Sequence, residues 1–189
     1  MRDKEQRIPP GQTVTSRFPV LHVGSVPEFD GEKWDFAVDG LVANPVTLTY
    51  DELLKLPSTV STSDFHCVTG WSRLDNKWEG VTFKAICALV NPLKQARFVT
   101  VVAEGEYTTS LPLEDLLDDD VLLAYRLDGK PLDSEHGGPL RLIVPKKYAY
   151  KSAKWVRKLR FTAKQELGYW EKRGYSNTAD PWKQERYGR

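Results

Sequence analysis

The residues with the clearest chemical potential lie in Asp64-Phe65-His66-Cys67-Val68-Thr69-Gly70-Trp71-Ser72. The stretch holds one of the chain's two cysteines, with His66 beside it and Gly70 and Trp71 just after. A thiolate at Cys67 could serve as a nucleophile, a redox group or a soft metal ligand. The alternative is a buried, inert thiol acting as a small hydrophobe. The run Thr59-Val60-Ser61-Thr62-Ser63 is rich in β-branched and small residues and predicts a strand. Cys67 then falls at or just past a strand end, where loops carry chemistry.

Two other stretches have the right residue types. In His136-Gly137-Gly138-Pro139-Leu140-Arg141-Leu142-Ile143-Val144-Pro145, Arg141 begins an otherwise apolar strand. A guanidinium that close to a core needs a carboxylate, phosphate or backbone partner. In Lys146-Lys147-Tyr148-Ala149-Tyr150-Lys151-Ser152-Ala153-Lys154-Trp155, Lys151, Ser152 and Lys154 crowd together. Hydroxyl and ammonium donors on a turn, with an arginine nearby, suit a phosphate; a solvated basic strand is the alternative. Several chemistries are disfavoured. The scattered histidines, with no CxxC or HExxH, do not make a zinc site. There is no GxGxxG, P-loop or GxSxG. A cysteine hydrolase would need a base, and the spacing favours neither His22 nor His136.

These stretches must be positioned by short elements. Alternation predicts strands at 34–40 and 42–48, and Thr49-Tyr50-Asp51-Glu52 is a capping box ahead of a short helix stopped by Pro57. Phe83, Ile86, Cys87 and Val90 share one helical stripe, which makes Cys87 core filling. Strands follow at 98–103, 107–111, 121–125 (closed by the turn dipeptide Asp128-Gly129), 140–144 and 154–161, with a short acidic helix at 112–117. The tail from Leu167 is aromatic. The fold class predicted is α+β, with mixed, largely antiparallel β-sheets and short helices.

Composition sets the outer bounds. A chain of 189 residues with six tryptophans can build one large domain, predicted over 17–189 behind a mobile arm at 1–16. Net charge is +1, so the overall field predicts neither nucleic acid nor membrane as a partner. Charge is uneven, however. Residues 98–125 hold no Lys or Arg, whereas 141–160 hold eight bases and no acid, as a bound polyanion would favour. Two cysteines do not make a disulfide framework. With no signal-like or membrane-length apolar run, the expectation is a cytoplasmic protein.

Taken together, the stretches resemble the molybdopterin-binding domain of the sulfite oxidase family. The resemblance runs through His66-Cys67-Val68-Thr69-Gly70-Trp71-Ser72, Trp78-Glu79-Gly80-Val81, the 136–145 stretch, Tyr148, Lys151-Ser152-Ala153-Lys154-Trp155, and Gly168-Tyr169-Trp170 on to Gly174-Tyr175. It covers roughly 17–182 and is nearest to the short stand-alone bacterial oxidoreductases, related to the methionine-sulfoxide reductase catalytic subunit. It implies the fold of that domain and a molybdenum–molybdopterin cofactor. Cys67 would be the protein thiolate on molybdenum, with Tyr175 and His66 as further catalytic candidates. Arg141 and Lys154 would bind the cofactor's phosphate and pterin edge, with His136 and Ser152 adding hydrogen bonds. Arg17, Phe18 and His22 match the segment that crosses the cofactor.

The activity implied is oxygen-atom or two-electron transfer on a small-molecule substrate, with electrons exchanged with a separate partner. Two departures bear on the substrate. Sulfite oxidases hold their anion with an arginine shortly after the metal cysteine, and Arg73 stands about one position away from it. Ala103 falls near a cofactor-contacting threonine of the sulfoxide-reductase relatives and has no side-chain donor. Both make sulfite a poor expectation. Two other readings compete with the enzyme: a non-catalytic module that binds a pterin or a partner, and a metal-free cysteine hydrolase or thiol redox enzyme.

Overall fold

The computed structural model describes residues 4–188. A single 3-10 turn, Lys4–Arg7, precedes β1 (Thr13–Val14). β2 (Asp35–Gly40) and β3 (Val46–Thr49) pair antiparallel, and α1 (Tyr50–Leu54) follows at once. The predicted capping box is present at α1. Thr49 accepts from the Glu52 amide while the Glu52 carboxylate accepts from the Thr49 amide, which contributes about 1 kcal/mol.

β4 (Ser58–His66) and β5 (Trp71–Thr82) form a long antiparallel hairpin, registered from Ser58 opposite Val81 to His66 opposite Ser72. α2 (Phe83–Val90) buries Phe83, Ile86 and Val90. Cys87 packs beside them on the core, and burial pushes its thiol up to about 11, out of range for a nucleophile at neutral pH. β6 (Phe98–Ala103), β7 (Thr108–Pro112), α3 (Leu113–Leu116), β8 (Leu122–Leu127), β9 (Lys130–Pro131), β10 (Arg141–Ile143) and β11 (Val156–Thr162) complete the order.

The strands form two sheets. One runs β1-β5-β8-β10, with β4 paired to β5 and β9 to β8; the other runs β3-β2-β11-β6-β7. Only β1/β5 and β11/β2 are parallel among the described pairs. This is the α+β, largely antiparallel arrangement the sequence predicts. Val81, Leu123 and Leu142 of the first sheet share one core with Phe36, Val99 and Leu159 of the second. A smaller cluster, Phe65, Trp78, Leu122 and Ile143, has Phe18 packed on it and underlies the Cys67 end of the hairpin. Gly80 marks a close approach: a Cβ there would lie 2.1 Å from the Leu123 carbonyl oxygen, and the β5–β8 register shifts at that point.

Two expectations need correction. From Arg7 onward the 1–16 segment is not a free arm. Arg7 forms a salt bridge with Asp64 at 2.6 Å, and the amides of Thr13 and Thr15 donate to the carbonyls of Gly70 and Ser72 at 2.9 Å. These are polar contacts, so the segment's polarity gave no hydrophobic sign of them. The basic run at 141–160 is also largely spent on partners within the chain. Lys146 and Lys147 both pair with Asp115, Arg157 pairs with Asp35 and Glu104, and Lys158 pairs with Asp39.

Candidate functional site

The hairpin turn over 67–70 puts Cys67 one residue past the end of β4, as its flanking strand predicts. The turn closes on backbone bonds: the Cys67 amide donates to Trp71 O at 2.8 Å and the Gly70 amide to Cys67 O at 3.0 Å. Cys67 is buried, and its Sγ lies 3.1 Å from Thr69 Oγ1. It faces a cavity of about 360 Å³ whose wall also includes Arg141, Ser152, Lys154, Phe18, His22 and Tyr175. These residues come from β10, the 144–155 turn, the 17–23 crossing segment and the tail, which are far apart in sequence.

The electrostatics of the cavity are one-sided. No carboxylate lines it among the described residues. Arg141 is 3% exposed, its Nη1 donates to His136 O at 2.8 Å, and its Nε is buried with no partner. Burial pulls its guanidinium down to about 10, even with the ring of Phe65 4.8 Å below it. Lys154 is lowered to about 8, first by burial and then by the Arg141 cation. Gly137, at φ +112, lies so close that a Cβ there would come within 2.9 Å of Lys154 Cβ. Ser152 Oγ accepts the Val144 amide at 2.9 Å, which leaves its own proton to donate.

Three predicted residues do not reach the wall. His66 is buried behind the turn with Nδ1 2.8 Å from Ser72 Oγ, because neighbouring strand residues point to opposite faces. His136 places its ring between Asp133 and the Phe18 carbonyl, so it holds the crossing segment instead of lining the cavity. Arg17 is exposed, one residue before the Phe18 anchor. Lys151 also faces away from the cavity and pairs with buried Glu171. Sequence reasoning missed Tyr107, Tyr150 and Trp170 on the wall, since a wall aromatic and a core aromatic look alike in sequence. The run Gly168-Tyr169-Trp170 was the one available signal.

Comparison with known proteins gives this arrangement a family. A family model described as the oxidoreductase molybdopterin binding domain matches residues 23–170. The chain belongs to that family. It is 46% identical to the uncharacterized oxidoreductase YuiH of Bacillus subtilis, over 98% of this chain and 94% of that protein. It is 28% identical to the protein-methionine-sulfoxide reductase catalytic subunit MsrP of Campylobacter jejuni, over 76% of this chain and 54% of that protein. Among solved structures, the sulfane dehydrogenase SoxCD of Paracoccus pantotrophus shares the fold with a TM-score of 0.69 at 24% identity, covering 76% of this chain and 42% of that one.

Members of the oxidoreductase molybdopterin binding domain family bind a molybdenum–molybdopterin cofactor, and the residues here fit one. Among the described residues, a buried guanidinium nitrogen without a partner and a second cation, in a cavity that no carboxylate lines, suit an organic phosphate. No group of three or more His, Cys, Asp or Glu is close enough to hold a metal among the described residues. A metal reaching Cys67 must therefore bring most of its ligands, as the dithiolene of this cofactor does.

A phosphate held by Lys154 would make that fit sensitive to pH. Its folded value lies below the 10.5 of an ordinary lysine. The ammonium therefore costs stability below about pH 8, and the cost fades as pH rises from there towards 10.5. A bound phosphate needs that same ammonium charged. Cofactor retention, followed by the fluorescence of released pterin on either side of pH 8, is expected to fall as pH rises. In Lys154→Met that dependence should flatten. An unchanged profile in the variant would take Lys154 out of phosphate binding.

Proposed function

We propose that this chain is a molybdenum–molybdopterin oxidoreductase with the Cys67 thiolate as a metal ligand, acting on a small, uncharged substrate. One observation carries the reading: Cys67 shares a single cavity with Arg141 and Lys154, and no acid accompanies them among the described residues. The thiolate fits a soft sulfur ligand set, and the two cations fit the phosphate and pterin edge. When bound, the cofactor supplies the two-electron or oxygen-atom transfer chemistry. The chain's own part is to bind, orient and exclude water. Tyr150, Trp170 and Tyr175 give the wall its aromatic character, and the Tyr175 phenol can donate a hydrogen bond to a substrate oxygen.

The choice of an uncharged substrate rests on where the arginines go. Arg73, nearest to the position where sulfite oxidases hold their anion, is tied to Asp128 and Asn76. Arg141 and Lys154 are assigned to the cofactor. No further Arg or Lys lines the cavity among the described residues. The relatives named for methionine-sulfoxide reduction make a sulfoxide the first substrate to try. Electrons would pass to or from a separate redox partner.

The test is metal analysis after expression in a host that makes the cofactor, followed by a panel of sulfoxides, N-oxides and sulfite with artificial electron donors and acceptors. Expected are molybdenum in a one-to-one ratio to protein and turnover of neutral oxides well above that of sulfite. A chain purified without molybdenum would sink the metal assignment, and a preference for sulfite would sink the substrate class.

A further inference from the structure

The turn that carries Cys67 is held from behind by two segments remote in sequence. Gln12 Nε2 donates to the Cys67 carbonyl at 3.1 Å. Gln12 is itself fixed, because its Oε1 accepts from Ser72 Oγ at 3.2 Å, and Ser72 Oγ lies 2.8 Å from His66 Nδ1. With the one hydroxyl proton directed at Gln12, the His66 ring is the donor in the remaining contact. His66 thus belongs to a polar chain that ends on the Cys67 carbonyl. The second segment adds Arg186, whose Nη1 donates to the Val68 carbonyl. The Arg186 guanidinium sits 5.3 Å from the ring of Tyr148, which is fully buried.

Arg186 also belongs to the strand-like segment that fixes Tyr175. Tyr175 and Tyr187 form an antiparallel bridge, the Ser176 amide donates to Arg186 O at 3.2 Å, and the Gly188 amide donates to Gly174 O at 2.8 Å. One guanidinium therefore ties the turn bearing Cys67 to the segment bearing Tyr175, and both residues line the cavity.

We propose that Arg186 is a positioning residue. Through the Val68 carbonyl it fixes where Cys67 Sγ and Tyr175 stand relative to each other across the cavity. The proposal rests on the functional reading above for what the sulfur does, but the clamp itself is testable without the cofactor. Arg186→Met keeps an aliphatic stem over Tyr148 and removes the donors, and Arg186→Lys restores one. In the full-length chain, hydrogen exchange at the Gly70 and Thr13 amides is expected to quicken about tenfold in Arg186→Met, with exchange in β6 and β11 unchanged.

In the loaded enzyme, kcat should fall about tenfold or more while KM and molybdenum content hold, because a misplaced reacting group costs rate more than binding. Arg186→Lys should recover part of both effects. Wild-type exchange at Gly70 and Thr13 in Arg186→Met, or wild-type kcat, would overturn the proposal. So would failure of both variants to fold, which would make Arg186 a folding residue. Wild-type chain without molybdenum but with quickened exchange in the variant would leave the clamp standing and remove only the functional reading.

Discussion

Cys67→Ser is expected to lose turnover by more than the ~10–100-fold that changes behind a metal's direct ligands cost, while the fold stays in place. The turn depends on main-chain bonds from Cys67 N and to Cys67 O, and none of these uses the sulfur. Serine is nearly the same size, so the small cluster around Phe65 and Trp78 keeps its packing. The chemistry is another matter. A serine hydroxyl is protonated at neutral pH and is a hard donor, so it cannot replace a thiolate in a sulfur ligand set. Molybdenum content should fall less than turnover, because on the reading proposed above Arg141 and Lys154 would still hold the organic part of the cofactor. Cys87→Ser serves as the control. Its thiol is raised by burial and packs against the core beneath α2, so turnover should not change. Full activity in Cys67→Ser would show that the sulfur is not a ligand.

The parts of this site legible in sequence are those where local pattern and function coincide. The β-branched run before Cys67 gives β4, and an arginine opening an apolar strand is unusual enough to mark Arg141 as partner-seeking. Asp128-Gly129, with both residues at positive φ, turns β8 into β9 as that dipeptide predicts. Less legible is the full length of β5. Its middle, Asp75-Asn76-Lys77, reads as polar loop, yet Asn76 is buried and satisfied by the carbonyls of Ser63 and Arg73. Lys151 and Lys154 are indistinguishable by type and neighbourhood. The short 3-10 turn at Ala149–Lys151 sends Lys151 into the core, and its partner Glu171 is remote in sequence. The histidines share this difficulty. His22 lines the cavity, whereas His66 and His136 brace the elements around it, and only the pairing of distant segments decides which does which.

The Lys151–Glu171 pair should dominate the stability of this region, because breaking it strands a charge. Both side chains are 1% exposed. Lys151 Nζ donates to Glu171 Oε1 and, at 2.9 Å, to Ser110 O, while Thr109 Oγ1 donates to the same carboxylate oxygen at 2.7 Å. Burial lowers the Lys151 ammonium, and Glu171 opposes that shift. The pair pins the turn at Glu171–Arg173, next to Trp170 on the cavity wall, onto β7. Lys151→Met leaves the carboxylate buried without its counter-charge, at a cost of about 3–5 kcal/mol and roughly 6–20 °C in Tm. The double variant Lys151→Met with Glu171→Leu removes both charges and should recover most of that loss, since a buried pair is worth little more than well-packed apolar groups. A thermal or denaturant melt of the two variants separates the explanations. A single variant within 1 kcal/mol of wild type (on the scale of about 1 kcal/mol for a neutral hydrogen bond) would mean that water reaches Glu171. A double variant no better than the single would mean that the pair's shape, more than its charge, holds the aromatic wall against β7.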